Sequence, residues 1–317
     1  VSAADHPVDA STIIGELLSQ TAAANARFFL PVKLYYSLAK PGVLLGNVIT
    51  GVAGFLLAAG NKNNYDIGLL LATIIGMTLV IAAACVTNNV LDRDIDAKMA
   101  RTKGRAVAAG KVAPRPATVY AVILAIIGFA VLIIFTNWLV VAIGAAGFIV
   151  YVWLYGATSK RHSIHGTLVG SISGAFPILA GYVAATDRFD WAALLLFLML
   201  FFWQFPEFYS IAIYRRQEYK AANIPVMPLV KGVKSTKFQI FVYTLLFVIA
   251  SLLLTILGYT GWIYFIVMLV VGLVWLRLGW QGLKAKDENS WARKMFHTSL
   301  NVLLLLSLML AVGPLLP

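Results

Sequence analysis

The chain has 317 residues, of which 61% are hydrophobic and only 12% charged, with a formal net charge of +12. Soluble domains are about 45–50% apolar and about 25% charged. A soluble fold of this length cannot hide so much apolar surface, so the chain reads as a polytopic, all-α membrane protein. Its positive charge gathers in a few loops, which argues for membrane topology and against a nucleic-acid partner.

Residues 1–37 contain Ser, Ala, Asp and Thr and lack the apolar h-region of a signal peptide. They read as an N-terminal tail, with a short amphipathic helix around Ile13 to Leu18 or a mobile segment as the two readings. From residue 38 to 317 the chain reads as one membrane domain. Nine apolar segments follow, at roughly 42–60, 67–87, 117–135, 138–156, 166–185, 191–213, 238–257, 261–280 and 295–313. Most approach the roughly 20 residues that a crossing needs. The fifth is rich in Gly, Ser and Ala, which permits close helix approach in lipid and places it near the centre. Pro177 and Pro206 are expected to kink the fifth and sixth.

Of the 25 Lys and Arg residues, 23 precede the first segment or lie near alternate junctions; Lys62 and Arg188 are the exceptions. The positive-inside rule then puts the N-terminus and four loops in the cytoplasm and the C-terminus outside. The single cysteine, Cys85, excludes an intrachain disulfide and a cysteine-based metal site. Neither a His-x-x-x-His pair nor a P-loop occurs, so zinc catalysis and P-loop phosphate binding are disfavoured.

The chemistry concentrates where the second segment ends, in Asn88-Asn89-Val90-Leu91-Asp92-Arg93-Asp94-Ile95-Asp96. Read as continuous helix, Asn88, Asp92 and Asp96 stack on one face with about 6 Å of rise between neighbours. Three of the chain's 13 carboxylates fall within five residues, at the edge of hydrocarbon where ionisable groups are costly. Such oxygens suit Mg²⁺, which takes one or two carboxylates and fills its shell with substrate phosphate oxygens. Bases follow at Lys98, Arg101, Lys103, Arg105, Lys111 and Arg115.

Between the sixth and seventh segments, Arg215, Arg216, Glu218, Lys220 and Asn223 precede Ile224-Pro225-Val226-Met227-Pro228. A further loop carries Tyr155 to Arg161, including Lys160. From composition alone the first of these loops reads better as an orientation signal, and the second reads equally as an orientation signal or a phosphate-binding loop. Gln204, Glu207 and Tyr209 interrupt the sixth segment, and polar groups in a span face partners or a cavity. The aromatic rings around them either pack or line a pocket for a developing cation.

Asn88-x-x-x-Asp92-x-x-x-Asp96 with its basic loop resembles the first motif of the UbiA-type intramembrane prenyltransferases. The resemblance narrows to the heme-farnesylating branch, the heme O synthases. It is carried by Leu38 to Gly42, Asn88 to Lys103, Tyr155 to Arg161 with Gly166 to Ser171, Trp203-Gln204-x-Pro206, Ala221 to Gly232 and Trp291 to Lys294, over roughly residues 35–300.

It implies a nine-helix bundle around a central cavity in a bacterial inner membrane. It also implies Mg²⁺-assisted transfer of farnesyl from farnesyl diphosphate to a vinyl group of heme B, with water entering and diphosphate leaving. By position, Asn88, Asp92, Asp96 and Glu218 would be the metal and catalytic residues, and Lys160, Arg215, Arg101 and Lys103 the diphosphate contacts. Membrane lipid would surround the bundle, and contact with heme A synthase or a terminal oxidase assembly is compatible with that role. Two departures stand out: the family usually has Asp where Glu218 stands and His where Glu207 stands. Two other readings stay open, a related enzyme prenylating an aromatic or quinone precursor and a transporter of an anionic lipid-like molecule.

Overall fold

The computed structural model describes residues 32–316, so the segment around Ile13 to Leu18 lies outside the described residues. Nine helices among them are long and apolar enough to cross a membrane. They are Pro41–Lys62, Ile67–Leu91, Pro114–Phe135, Trp138–His162, Gly166–Thr186, Trp191–Tyr214, Gly232–Ile256, Trp262–Leu283 and Glu288–Leu315, and are called the first to ninth spans. Each coincides with a segment legible in the sequence. The seventh and ninth begin six or seven residues earlier than hydropathy suggests, because Gly232 to Lys237 and Glu288 to Lys294 are polar turns of helix beyond the apolar stretch.

Local chemistry sets the ends. Asp66, Asn137, Asp190 and Asp287 cap the second, fourth, sixth and ninth spans by accepting from the backbone N–H of Leu69, Val140, Ala193 and Ser290, at 2.9–3.1 Å. Pro41 and Pro114 open the first and third spans, where their missing N–H costs nothing. On the face opposite the basic loops the connections are short: residues 63–66, 136–137, 187–190 and 257–261. Asn63, Asp187 and Gly258 turn the chain there with φ of 49°, 53° and 78°. The basic face holds the long connections, 92–113 and 215–231.

The first span packs against the fifth, second and ninth; the sixth against the fifth, seventh and ninth; the third against the second. The fifth and sixth are the most enclosed, in the fifth as its small residues lead one to expect, while the third and fourth face lipid over most of their length. The fifth and sixth helices continue through Pro177 and Pro206. One apolar core joins Leu196, Met199, Phe247, Trp275 and Leu306, and a second joins Phe55, Met77, Leu132 and Val140.

The first and fifth spans touch at glycine: a methyl on Gly181 would sit on the Gly51 carbonyl, and one on Gly54 on the Ile178 carbonyl. Gly181→Val is therefore expected to destabilise the bundle by roughly 1–3 kcal/mol or more. Its melting temperature in detergent should fall well below that of Gly46→Ala, where no atom lies within 4 Å of the added carbon. Equal melting temperatures would refute the close crossing.

Candidate active site

The helix of the second span ends at Leu91, and a separate helix runs Arg93–Lys98. The continuous helix expected through Asp96 is thus broken at Asp92, whose φ of −87° and ψ of 4° leave the helical region. Two hydrogen bonds nevertheless keep the register: Asp92 N–H to Asn88 O at 2.9 Å and Asp96 N–H to Asp92 O at 2.8 Å. Asn88, Asp92 and Asp96 consequently share the inward face, exposed by only 2%, 0% and 2%. Asn89 serves the scaffold, donating to Leu38 O and Cys85 O at 2.8 and 2.9 Å.

Each inward carboxylate meets a base. Arg105 Nη1 donates to both oxygens of Asp96 at 2.9 and 2.7 Å. Lys160 Nζ donates to Asp92 Oδ2, and Arg161 lies 3.8 Å from Asp92 Oδ1. Lys40 Nζ donates to Asn88 Oδ1. Burial, with Arg105 and Lys160 nearby, pulls the Lys40 ammonium down to about 8. Asp94 points outward, and its hydrogen bonds from Arg161 hold its carboxyl well below the usual carboxylate range.

The second acidic loop packs on the first. Ile95 and Met99 form an apolar cluster with Ala222 and Ile224, flanked by Tyr219 and Val226. This contact brings Glu218 to the rim, where Oε1 accepts from Arg215 Nη1 at 2.6 Å and Oε2 from the Arg101 backbone N–H at 3.4 Å.

Beneath the two loops a cavity of about 750 Å³ reaches into the bundle. Lys40, Asn88, Asp96, Arg101, Arg105, Lys160 and Arg215 line its polar mouth. Trp203, Phe176, Phe148, Leu200 and Leu303 line its apolar depth. Asp92 is not itself part of the lining and connects to it through Lys160, which donates to its Oδ2. Lys103 is exposed and stays outside the lining.

The fourth span contributes a feature hydropathy does not encode: residues Val150–Ser159 wind as a π-helix. Tyr151 and Tyr155 from it face the cavity with ring centroids 5.7 Å apart, and Lys160 Nζ sits 5.9 Å from the Tyr155 ring centre. π-windings are rare and recur at functional sites. Lys40, Arg105, Tyr151 and Tyr155 are site residues that sequence reasoning left without a role. Lys40-Pro41-Gly42 and the basic run were visible, but nothing in their spacing says which base turns inward.

Among the described residues, two buried polar atoms of this acidic motif have no hydrogen-bond partner: Asn88 Nδ2, and Asp92 Oδ1, which has Arg161 3.8 Å away. A buried unsatisfied group costs roughly 1–3 kcal/mol, so each suits a ligand. Asp92 Oδ1 is an anionic oxygen fit for a hard cation, whereas Asn88 offers its free side as an N–H donor because Lys40 occupies its oxygen. Among the described residues no three His, Cys, Asp or Glu side chains gather closely enough to enclose a metal by themselves. The donor set therefore fits a cation that completes its shell with phosphate oxygens, as Mg²⁺ does.

The UbiA prenyltransferase family model matches residues 47–301. The chain belongs to the UbiA prenyltransferase family. Among curated relatives of this family, it is 47% identical to the protoheme IX farnesyltransferase of Serratia proteamaculans over 89% of this chain and 94% of that one. It is 45% identical to the protoheme IX farnesyltransferase of Pseudomonas savastanoi, over 89% and 95%. Solved structures share the family fold. A digeranylgeranylglyceryl phosphate synthase aligns with a TM-score of 0.74 at 22% identity, covering 89% of this chain and 98% of that one. A UbiA homologue from Archaeoglobus fulgidus bound to GPP and Mg²⁺ aligns with a TM-score of 0.63 at 14% identity, covering 88% and 99%. The chain is an integral membrane prenyltransferase.

Proposed function

We propose that this enzyme transfers the farnesyl group of farnesyl diphosphate to a vinyl group of heme B, releasing diphosphate and giving the hydroxyethylfarnesyl product, heme O. The observation that carries this reading is the ring of five bases, Lys40, Arg101, Arg105, Lys160 and Arg215, at the mouth of a deep apolar cavity. The identity to protoheme IX farnesyltransferases over nearly the whole chain supports the acceptor.

Ionisation of an allylic diphosphate puts negative charge on the leaving oxygen, and pre-arranged cations lower that barrier. When bound, Mg²⁺ supplies part of this charge; Asp92 and Asp96, with Glu218 at the rim, would hold it, and Asn88 as well if Lys40 releases its oxygen. Lys160, Arg105 and Arg215 now neutralise carboxylates. On binding they would turn to the diphosphate as those carboxylates turn to the cation. That exchange of partners keeps every charge compensated in a site of low dielectric. Asn88 Nδ2 would donate to a diphosphate oxygen.

The apolar depth holds the isoprenoid chain and excludes water from the allyl cation, whose charge the Tyr151, Tyr155 and Trp203 faces stabilise. The propionates of heme, being anionic, favour the basic mouth. The basic face would be cytoplasmic, with the N-terminus inside, the C-terminus outside and the bundle in a bacterial inner membrane. A single catalytic domain would begin near residue 38.

The test incubates the pure protein in detergent with heme B, farnesyl diphosphate and Mg²⁺ and follows heme by mass spectrometry. Prenylated hydroxyethyl heme is expected. Farnesyl consumption by an aromatic or quinone-precursor acceptor, with heme unchanged, would refute the heme reading.

A further inference from the structure

Water that adds to the prenylated vinyl group must lose a proton, and the cavity offers few places to put it. Asp96 and Glu207 are the two carboxylates lining it. Asp96 has both oxygens occupied by Arg105. Among the described residues Glu207 belongs to no ion pair and accepts no side-chain hydrogen bond. It lies on the sixth span, eight residues before Arg215, roughly 12 Å deeper along the helix. A carboxylate in an apolar span without a cation is a functional group by default.

Its neighbour one turn back completes a water site. Gln204 Nε2 spends both hydrogens on Ser171 O and Leu200 O, at 3.1 and 2.9 Å. This fixes the amide orientation and leaves Oε1, which lies against Gly174 of the fifth span, without a donor among the described residues. Residues three apart on a helix share a face, with Cβ atoms about 5–6 Å apart. A water donating one hydrogen to Gln204 Oε1 and the other to the Glu207 carboxylate would aim its lone pair into the cavity. Trp203, which also lines that wall, is held by its Nε1 donation to Ser299 O at 2.8 Å.

We infer that Glu207 is the general base that deprotonates the capturing water, with Gln204 holding that water; the inference rests on the proposed heme farnesylation. The C1–O bond of farnesyl diphosphate breaks and its electron pair leaves with diphosphate. The vinyl π pair forms the new bond to C1, leaving the cation on the vinyl carbon attached to the porphyrin. The water oxygen adds there while one O–H pair returns to oxygen and its proton passes to Glu207. Water placed this deep lies on the far side of the reacting carbons from the diphosphate. It therefore captures the second cation and not the first.

The test compares wild type, Glu207→Gln and Glu207→Asp as purified full chains given heme B, farnesyl diphosphate and Mg²⁺, over a pH series. Glu207→Gln is expected to lose hydroxylated heme on the order of 100-fold. A prenylated product lighter by one water, formed by proton loss, should appear in its place. Glu207→Asp should recover part of the hydroxylation. The fall in rate on the acid side should be present in wild type and Glu207→Asp and absent in Glu207→Gln.

Hydroxylation by Glu207→Gln at the wild-type rate with an unchanged pH profile would overturn the inference alone. So would a shifted heme absorption band with an unchanged product ratio, which would make Glu207 an iron ligand. Should Glu207→Gln fail to fold, a well-folded Glu207→Asp without any hydroxylation would also overturn it. No prenylated heme from wild type would bring down the proposed function, and the inference with it.

Discussion

Asp92→Ala is expected to lower turnover roughly a thousand-fold or more, the largest loss of any single substitution. Asp92 is fully buried, receives Lys160 on one oxygen, and keeps its other oxygen free of hydrogen bonds, with Arg161 3.8 Å away. No spare carboxylate stands beside it, since Asp96 pairs with Arg105 and has its own place in the proposed cation site, and Asp94 faces outward with Arg161. Asp92→Asn separates charge from shape. The isosteric amide preserves packing, so its melting temperature should stay close to wild type while its turnover falls with that of the alanine variant. Steady-state assays on monodisperse protein, with varied Mg²⁺, are the check. Turnover of Asp92→Asn within a few-fold of wild type would remove the carboxylate from catalysis.

The second large effect is at Lys160. Lys160→Met should reduce kcat/KM for farnesyl diphosphate by roughly 10²–10³-fold, because the variant lacks the cation proposed to turn from Asp92 to the leaving group. It also strands Asp92, whose other oxygen already lacks a hydrogen bond. The two losses are coupled. Asp92→Asn combined with Lys160→Met should therefore cost clearly less than the sum of the single variants on a free-energy scale. Additive costs would mean that Lys160 and Asp92 act on different groups, and partner exchange on binding would be wrong. Lys160→Arg should retain intermediate activity, since it keeps the charge but not the compact geometry.

The membrane architecture was legible because hydrocarbon imposes a strict length and composition on each crossing, and because Lys and Arg mark alternate loops. The capping residues Asp66, Asn137, Asp190 and Asp287 sharpen the span limits by the same local rule that acts in soluble helices. The acidic motif was legible for a different reason: carboxylates are so scarce that three together demand an account.

What sequence could not supply was pairing. Arg105 and Lys111 look alike in a basic run, yet only Arg105 reaches Asp96. That choice is made by the turns of residues 99–113, where Thr102 Oγ1 donates to Asp96 O at 3.0 Å. The break at Asp92 was hidden because the flanking i→i+4 hydrogen bonds survive it and the polar period stays intact. The π-winding of Val150–Ser159 was equally invisible, as its aromatic and small residues are compatible with an ordinary helix. Glu207 was noticed as a polar interruption of an apolar span, but its freedom from cationic partners is a property of the folded bundle.

The account rests on acidic and basic side chains of two packed loops gripping a diphosphate through a divalent cation. Mn²⁺ anomalous scattering, recorded from crystals of the protein with Mn²⁺ and a non-ionising thio analogue of farnesyl diphosphate, addresses this most directly. The account predicts a Mn²⁺ peak bonded to an Asp92 oxygen and to diphosphate oxygens, with Lys160 and Arg105 turned onto the phosphates and the isoprenoid tail in the apolar cavity. A diphosphate bound away from Asp92 and Asp96, or Mn²⁺ located elsewhere while Lys160 still pairs with Asp92, would contradict it.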